Sequence, residues 1–234
     1  FDDLREGIGA EIGRIQDTAA RLAAADTLAA FADAAARGGY ARPILADDFT
    51  LDLVAGRHPV VEQTMPREAF IPNDVRLDAD RQVMILTGPN MAGKSTILRQ
   101  VGLTVLMAQA GSFVPARGAT IGIVDRLFTR VGASDDLTRG QSTFMVEMSE
   151  TAAILHNATG RSLVLLDEIG RGTSTYDGVA IAWSVAEYLH EHLGCKTIFA
   201  THYHELTRLA DRFARVVNCN VAVLESGDDA IFLP

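Results

Sequence analysis

Leu4, Ile8, Ile12, Ile15, Ala19 and Leu22 recur at spacings of three and four, which predicts a helix with one apolar stripe over residues 1–37. Asp26–Thr27 is a candidate restart within it, after which Leu28, Phe31 and Ala35 continue a face and Gly38–Gly39 ends it. Beyond Arg42–Pro43 the pattern shortens. Leu51 to Val54, Arg76 to Leu77 and Val83 to Leu86 predict strands, broken by Pro59, Pro66 and Pro72. A helix is predicted over Thr96 to Ala110, then short strands around Ala119 to Ile121 and Leu127 to Val131. After a polar run from Gly132 to Thr143, the residues Phe144, Met148, Thr151 and Leu155 mark one helical face. Ser162 to Leu166 and Thr197 to Ala200 are apolar runs of the kind buried on both faces of a parallel sheet. Between them, Val179, Ala182, Trp183, Ala186 and Leu189 mark another helix, and Val216 to Leu224 with Ile231 to Leu233 suggest a closing antiparallel pair. Strand and helix alternate from Val83 to Ala200. The prediction is therefore α/β: right-handed βαβ units on a mostly parallel sheet flanked by helices, with short antiparallel strands and an N-terminal helical arm.

Composition narrows the class without changing the fold. With 234 residues, 48% hydrophobic and 22% charged, the chain is large enough to bury a substantial core. No apolar run approaches the roughly 20 residues a membrane-spanning helix needs, so no membrane partner is expected. Phe1 opens an acidic amphipathic segment with no signal-peptide pattern, and the start at Phe1 and end at Pro234 suggest a piece of a longer polypeptide. Cys195 and Cys219 lack Cys-x-x-Cys spacing and read as buried thiols of a reducing compartment. The formal net charge is −9, and Lys and Arg are not gathered into a basic face. If a parent protein touches DNA, this piece is not expected to supply the main contact.

Candidate chemistry begins at Gly88, Gly93, Lys94 and Ser95, spaced G-x-x-x-x-G-K-S between a predicted strand and a predicted helix. That is the setting of a phosphate-binding loop, in which backbone N–H groups and the helix N-terminus cradle phosphate oxygens. Lys94 is then expected to reach the outer phosphates and the Ser95 hydroxyl to ligate Mg²⁺. The alternative is a Gly-rich turn that happens to end in Lys-Ser. A second signal is Leu163 to Leu166 running into Asp167 and Glu168. An Asp at the end of such a strand can hold Mg²⁺, and the following Glu can polarise a water for attack on the γ-phosphate. The plainer reading of that pair is helix capping. Phe199-Ala-Thr-His202 ends the next strand, which places a His near the terminal phosphate. His204, two residues on, points the other way, and no third ligand lies nearby to complete a metal site. Ser142, at a predicted helix start, is either a good N-cap or a second anion-binding terminus that serves the nucleotide of a partner subunit. Phe70, before a Pro-Asn turn, is either a base-stacking platform or a core residue at a strand end.

TGPNMAGKST, GSFVPA from Gly111 to Ala116, STFMVEM from Ser142, LLDEIGRGTSTYDG from Leu165 to Gly178 and FATHYHEL from Phe199 together resemble the MutS family of DNA mismatch-repair ATPases. The likeness runs from about Arg42 to the end, and DEIGRGTSTYDG favours the mismatch-repair branch over the anti-recombination paralogues. It implies a P-loop NTPase of the ABC type over residues 43–234, with residues 1–42 similar to the core helices that precede it. The implied ligands are ATP or ADP and Mg²⁺. Gly88, Pro89, Asn90, Met91, Ala92, Gly93, Lys94, Ser95 and Thr96 then hold nucleotide, with Asn90 facing the phosphates. By the same resemblance Ser95 and Asp167 hold Mg²⁺, Glu168 activates water, His202 contacts the γ-phosphate region, and Phe70 stacks on adenine. Ser142 becomes the signature serine of the partner's site and Asp177 falls at the dimer interface, so the working unit is a homodimer.

Mismatched double-stranded DNA and MutL-type repair proteins are implied partners, through domains absent here. No Phe-x-Glu mismatch-reading motif is present, and the chain stops before the family's C-terminal helical segment, which predicts weak dimerisation and slow hydrolysis. Two functional classes follow: an ATPase that drives conformational switching of a mismatch-recognition protein, or a nucleotide-dependent dimerisation switch with little turnover. A small-molecule kinase is disfavoured, because Ser142-Thr143 and the strand end from Phe199 to His202 are ABC-like features and no substrate lid is apparent.

Overall fold

The computed structural model describes residues 1–65, 70–89, 92–131, 143–221, 223–226 and 229–232. The arm is two helices, α1 (Asp2–Ala10) and α2 (Ile12–Gly38). α2 runs unbroken through Asp26–Thr27, because the Thr27 hydroxyl donates to the Ala23 carbonyl one turn back and caps nothing. The break falls at Glu11 instead, between Gly9 and Gly13, where helix propensity is lowest. Gly39 closes α2 in the left-handed conformation, φ 59°. Leu4, Ile8, Ile12, Ile15, Leu22 and Leu28 are all exposed, so the predicted stripe exists but is uncovered by any described residue.

β1 (Ile44–Ala46), β2 (Leu51–Gly56), a short helix α3 (Val61–Thr64) and β3 (Asn73–Leu77) follow. The main domain then starts with β4 (Val83–Thr87), α4 (Lys94–Gln109), β5 (Gly118–Gly122), β6 (Leu127–Arg130) and α5 (Thr143–Asn157). It continues through β7 (Leu163–Asp167), α6 (Thr175–Tyr188), a π-helical turn (Leu189–Leu193), β8 (Lys196–Ala200), a 3₁₀ turn (His204–Arg208) and α7 (Leu209–Arg212). The chain ends in β9 (Val216–Asn220), β10 (Val223–Ser226) and β11 (Asp229–Phe232).

The main sheet has the order β6-β7-β8-β4-β9, and every pairing is parallel. Every residue of β4, β7 and β8 is buried, as continuous apolar runs require of strands covered on both faces. Val83, Ile85, Val164, Leu166 and Phe199 pack on one face with Ile154, Ala182 and Val185 from α5 and α6. Met84, Leu86, Leu163, Leu165 and Ile198 pack on the other with Leu98, Val101 and Val105 of α4 and with the second sheet. That sheet has the order β1-β5-β2-β3, antiparallel except for β1 with β5. The fold is thus α/β and mostly parallel, as the alternation predicts. β5 departs to the second sheet, and the expected closing pair is corrected. Val216 to Leu224 is two strands: β9 lies parallel to β4, while β10 pairs antiparallel with β11. The Val221 N–H donates to the Thr87 carbonyl and extends the β4 pairing to the loop that begins at Gly88. Among the described residues no helix is long and apolar enough to cross a membrane.

Two buried histidines make stability depend on pH. His58 accepts the Val60 and Val61 N–H groups at Nδ1, and burial followed by the Arg99 charge pushes its pKa down. His190, stacked at a tilt on Phe213, is also pushed down by burial and then by Arg215. Each therefore binds fewer protons folded than unfolded below the unfolded value of about 6.5, and stability falls as pH drops through it. The unfolding free energy from urea titration is expected to be lower at pH 5.5 than at pH 7.5, by at most about 1.4 kcal/mol per pH unit per histidine. His190→Phe should flatten that slope; an unchanged slope would remove His190 as a cause.

Candidate functional site

The loop after β4 turns because two glycines take conformations that side chains rarely adopt. Gly88 has φ 148°, and a Cβ there would lie 2.9 Å from the Val221 carbonyl oxygen. Gly93, at φ 92°, occupies the N-cap position of α4. α4 begins at Lys94, two residues earlier than the periodicity predicts, so Lys94, Ser95 and Thr96 form its first turn. Ala92 is buried beside them, and its N–H reaches the Pro89 carbonyl at 3.4 Å. Lys94 is only 4% exposed. Its Nζ donates to the Gly88 and Pro89 carbonyls at 2.8 and 2.9 Å. Burial pushes its pKa down, against the pull of Glu168 and Asp167. Asn90 and Met91 lie outside the described residues.

The carboxylates arrive from the neighbouring strand ends. Asp167 is the last residue of β7 and pairs in register with Ala200 of β8. Burial pushes its carboxyl up, opposed first by a hydrogen bond from Ser95. Its Oδ1 is buried with no partner among the described residues. A hard cation with mostly water and phosphate ligands fits such a pair: one orphaned carboxylate oxygen and a hydroxyl beside a phosphate loop. Among the described residues no cluster of three or more His, Cys, Asp or Glu forms a closed metal cage.

Glu168 leaves the strand with φ 57°, a left-handed conformation that costs a non-glycine residue about 1–3 kcal/mol. The turn sends its carboxylate away from the strand. Oε1 contacts His202 Nε2, and Oε2 lies 2.7 Å from Arg171 Nη1. These residues open onto a cavity of about 410 Å³ lined also by Thr173, Thr175 and Thr201. Lys94, Ser95, Asp167, Glu168 and His202, separated by more than a hundred residues, thus meet at the C-terminal ends of β4, β7 and β8.

Phe70 is half-buried ahead of β3. Pro72 and Asn73, just after it, line a second cavity of about 510 Å³ bounded by Leu86, Ile97 and Val221, which flank the phosphate loop. Asp177 lies in the first turn of α6, where its N–H donates to the Ser174 hydroxyl at 3.3 Å and its carboxylate accepts from that hydroxyl at 2.7 Å. Ser142 lies outside the described residues. Arg171, Tyr203 and Glu147 were missed by pattern reading. Arg171 sits within the DEIGRG run and Tyr203 beside His202, so adjacency was their only signal. Glu147 had none: the predicted face of α5 was Phe144, Met148, Thr151 and Leu155, whereas the buried stripe is Glu147, Thr151 and Ile154.

Residues 84–234 match the family described as MutS domain V. Among curated relatives, the DNA mismatch repair protein MutS of Acetivibrio thermocellus is 59% identical over 234 residues, 100% of this chain and 27% of the relative. The MutS proteins of Symbiobacterium thermophilum and Chlorobaculum parvum are 55% and 57% identical over the same full length of this chain, again 27% of each relative. The chain thus spans about a quarter of the length of the curated relatives it matches. With the P-loop fold in place and the family match covering most of its length, the chain belongs to the MutS family, through MutS domain V.

Proposed function

We propose that this domain binds ATP with Mg²⁺ and hydrolyses it to drive conformational switching of a DNA mismatch-recognition protein. The observation that carries the reading is the convergence of Lys94, Ser95, Asp167, Glu168 and His202 at adjoining strand ends. Lys94, exchanging the Gly88 and Pro89 carbonyls for phosphate oxygens, holds the outer phosphates. Ser95 and the free Oδ1 of Asp167 are the residues that would hold Mg²⁺, which when bound offsets phosphate charge. Glu168 takes the proton of a water whose oxygen attacks the γ-phosphorus, and the bond to the β–γ bridging oxygen breaks. His202, against the Glu168 carboxylate, orients that water beside the terminal phosphate. Phe70, two residues before Pro72 of the second cavity, offers a face for adenine, and the loop residues Gly88 to Thr96 enclose the phosphates.

The reading extends to assembly. Ser142 completes the site of a second copy, Asp177 lies near the contact, and residues 1–42 form the arm that links residues 43–234 to the rest of a cytoplasmic repair protein. Mismatched DNA and MutL-type proteins are its partners through that remainder. A nucleotide-dependent dimerisation switch is the second reading, favoured by the uncovered apolar stripe of α1 and α2. Sedimentation velocity with and without a non-hydrolysable ATP analogue tests the assembly: a nucleotide-dependent dimer is expected. Ser142→Ala should lower hydrolysis and leave analogue affinity of the monomer intact. A large loss of monomer affinity would place Ser142 in its own site.

A further inference from the structure

We infer that Glu147 and Tyr203 are positioning residues that grip the Gly170 backbone from two sides and thereby set the Glu168 carboxylate against His202. The inference rests on the reading of Glu168 as general base. The Gly170 N–H donates to Oε1 of Glu147, and the Gly170 carbonyl accepts from the Tyr203 hydroxyl at 2.9 Å. Both polar groups of one loop residue are thus tied to side chains from two other elements, α5 and the turn that carries His202.

A carboxylate is an unusual choice for this task. Glu147 is 5% exposed, and a buried charge is unfavourable unless it is paired. Its Oε2 lies 3.7 Å from Nη2 of Arg130, whose Nε lies 2.8 Å from Oε2 of Glu150. Arg130 is the last residue of β6 and pairs in register with Leu166, the residue before Asp167. The carboxylate is therefore anchored to the same sheet edge that carries the metal-ligand candidate. A charged acceptor makes a shorter and stronger bond to a backbone N–H than a neutral one, which suits a clamp better than a spacer.

The surrounding glycines fit the clamp. Gly170 has φ 94°, and a Cβ on it would sit 2.7 Å from the Gly178 carbonyl oxygen of α6. A Cβ on Gly178 would in turn collide with the Tyr203 hydroxyl, and one on Gly172 would lie 2.8 Å from Phe144 Cβ of α5. Glu168 itself holds a left-handed φ, which persists only where the surroundings over-determine it. Two residues further on, the doubly held Gly170 supplies that constraint. A shift of α5 would reach Glu168 through the Glu147–Gly170 bond.

The test measures kcat, KM and the affinity for a non-hydrolysable ATP analogue in Glu147→Ala, Glu147→Gln, Tyr203→Phe and, as reference, Glu168→Gln. Glu147→Ala is expected to lower kcat by about 10- to 100-fold, the scale of a displaced catalytic group, with analogue affinity unchanged. Glu147→Gln, which keeps an acceptor for the Gly170 N–H, should restore most of that loss. Tyr203→Phe, which removes one hydroxyl and little volume, keeps the question open to measurement if Glu147→Ala fails to fold, and should lower kcat several-fold. Wild-type kcat in both folded variants, alongside an inactive Glu168→Gln, would overturn the inference alone. Equal losses of kcat and analogue affinity, or no rescue by Gln, would overturn it too. Hydrolysis that survives in Glu168→Gln would overturn the general-base reading and the inference with it.

Discussion

Glu168→Gln is expected to lower ATP hydrolysis by about 10²- to 10⁴-fold, the span over which a positioned proton acceptor accelerates such a step. The amide keeps the shape of the side chain but cannot take a proton from water. The backbone turn that aims it, φ 57° at the end of β7, is untouched by the change. The Arg171 guanidinium at 2.7 Å is itself mostly exposed, so water compensates its lost partner and folding is little affected. Nucleotide binding should therefore persist, because Lys94 and Ser95 remain. Single-turnover hydrolysis measured beside analogue binding reads both quantities. Unchanged hydrolysis would remove Glu168 from the chemistry. Lost hydrolysis with intact ATP-induced dimers would show that turnover and switching are separable, and would leave turnover as the step that resets a clamp.

Lys94→Ala should cost nucleotide affinity directly, by about 10- to 150-fold. A charge-assisted contact is worth about 1.5–3 kcal/mol, and each 1.4 kcal/mol is a factor of ten. The ammonium is buried and already holds two loop carbonyls, so it approaches phosphate preorganised within the turn it stabilises. Asp167 and Glu168 nearby favour its charged form, against burial. Calorimetric titration with ADP and with an ATP analogue separates its partners: a larger loss for the analogue places Lys94 at the outermost phosphate. Equal affinity in wild type and variant would leave the loop as a Gly-rich turn without a phosphate role.

Much of this site was legible because its signals are local. The spacing of Gly88, Gly93, Lys94 and Ser95 encodes a turn and a helix start, and apolar runs into Asp167 and toward His202 encode strand ends. Those strands turn out to be neighbours, β7 beside β8 and β8 beside β4, so residues distant in the chain fall together. Pairing itself was less legible. Val216 to Asn220 carries the same alternation whether it faces an antiparallel or a parallel neighbour, and only the position of β4 decided between them. Glu147 shows the limit most plainly. A glutamate in an amphipathic helix reads as solvated, and its burial follows from Arg130 and Gly170, which reach it from other elements.

By itself the sequence determined the alternating strands and helices from Val83 to Ala200, the turn at Gly88 to Ser95 and the two strand-end carboxylates, because each depends on residues within a turn or two of one another. Tertiary structure alone decided the left-handed turn at Glu168, its contacts with His202 and Arg171, the orphaned Oδ1 of Asp167 and the grip on Gly170. Those features depend on distances between segments that only packing brings within a few ångströms, and no periodicity along one segment encodes them.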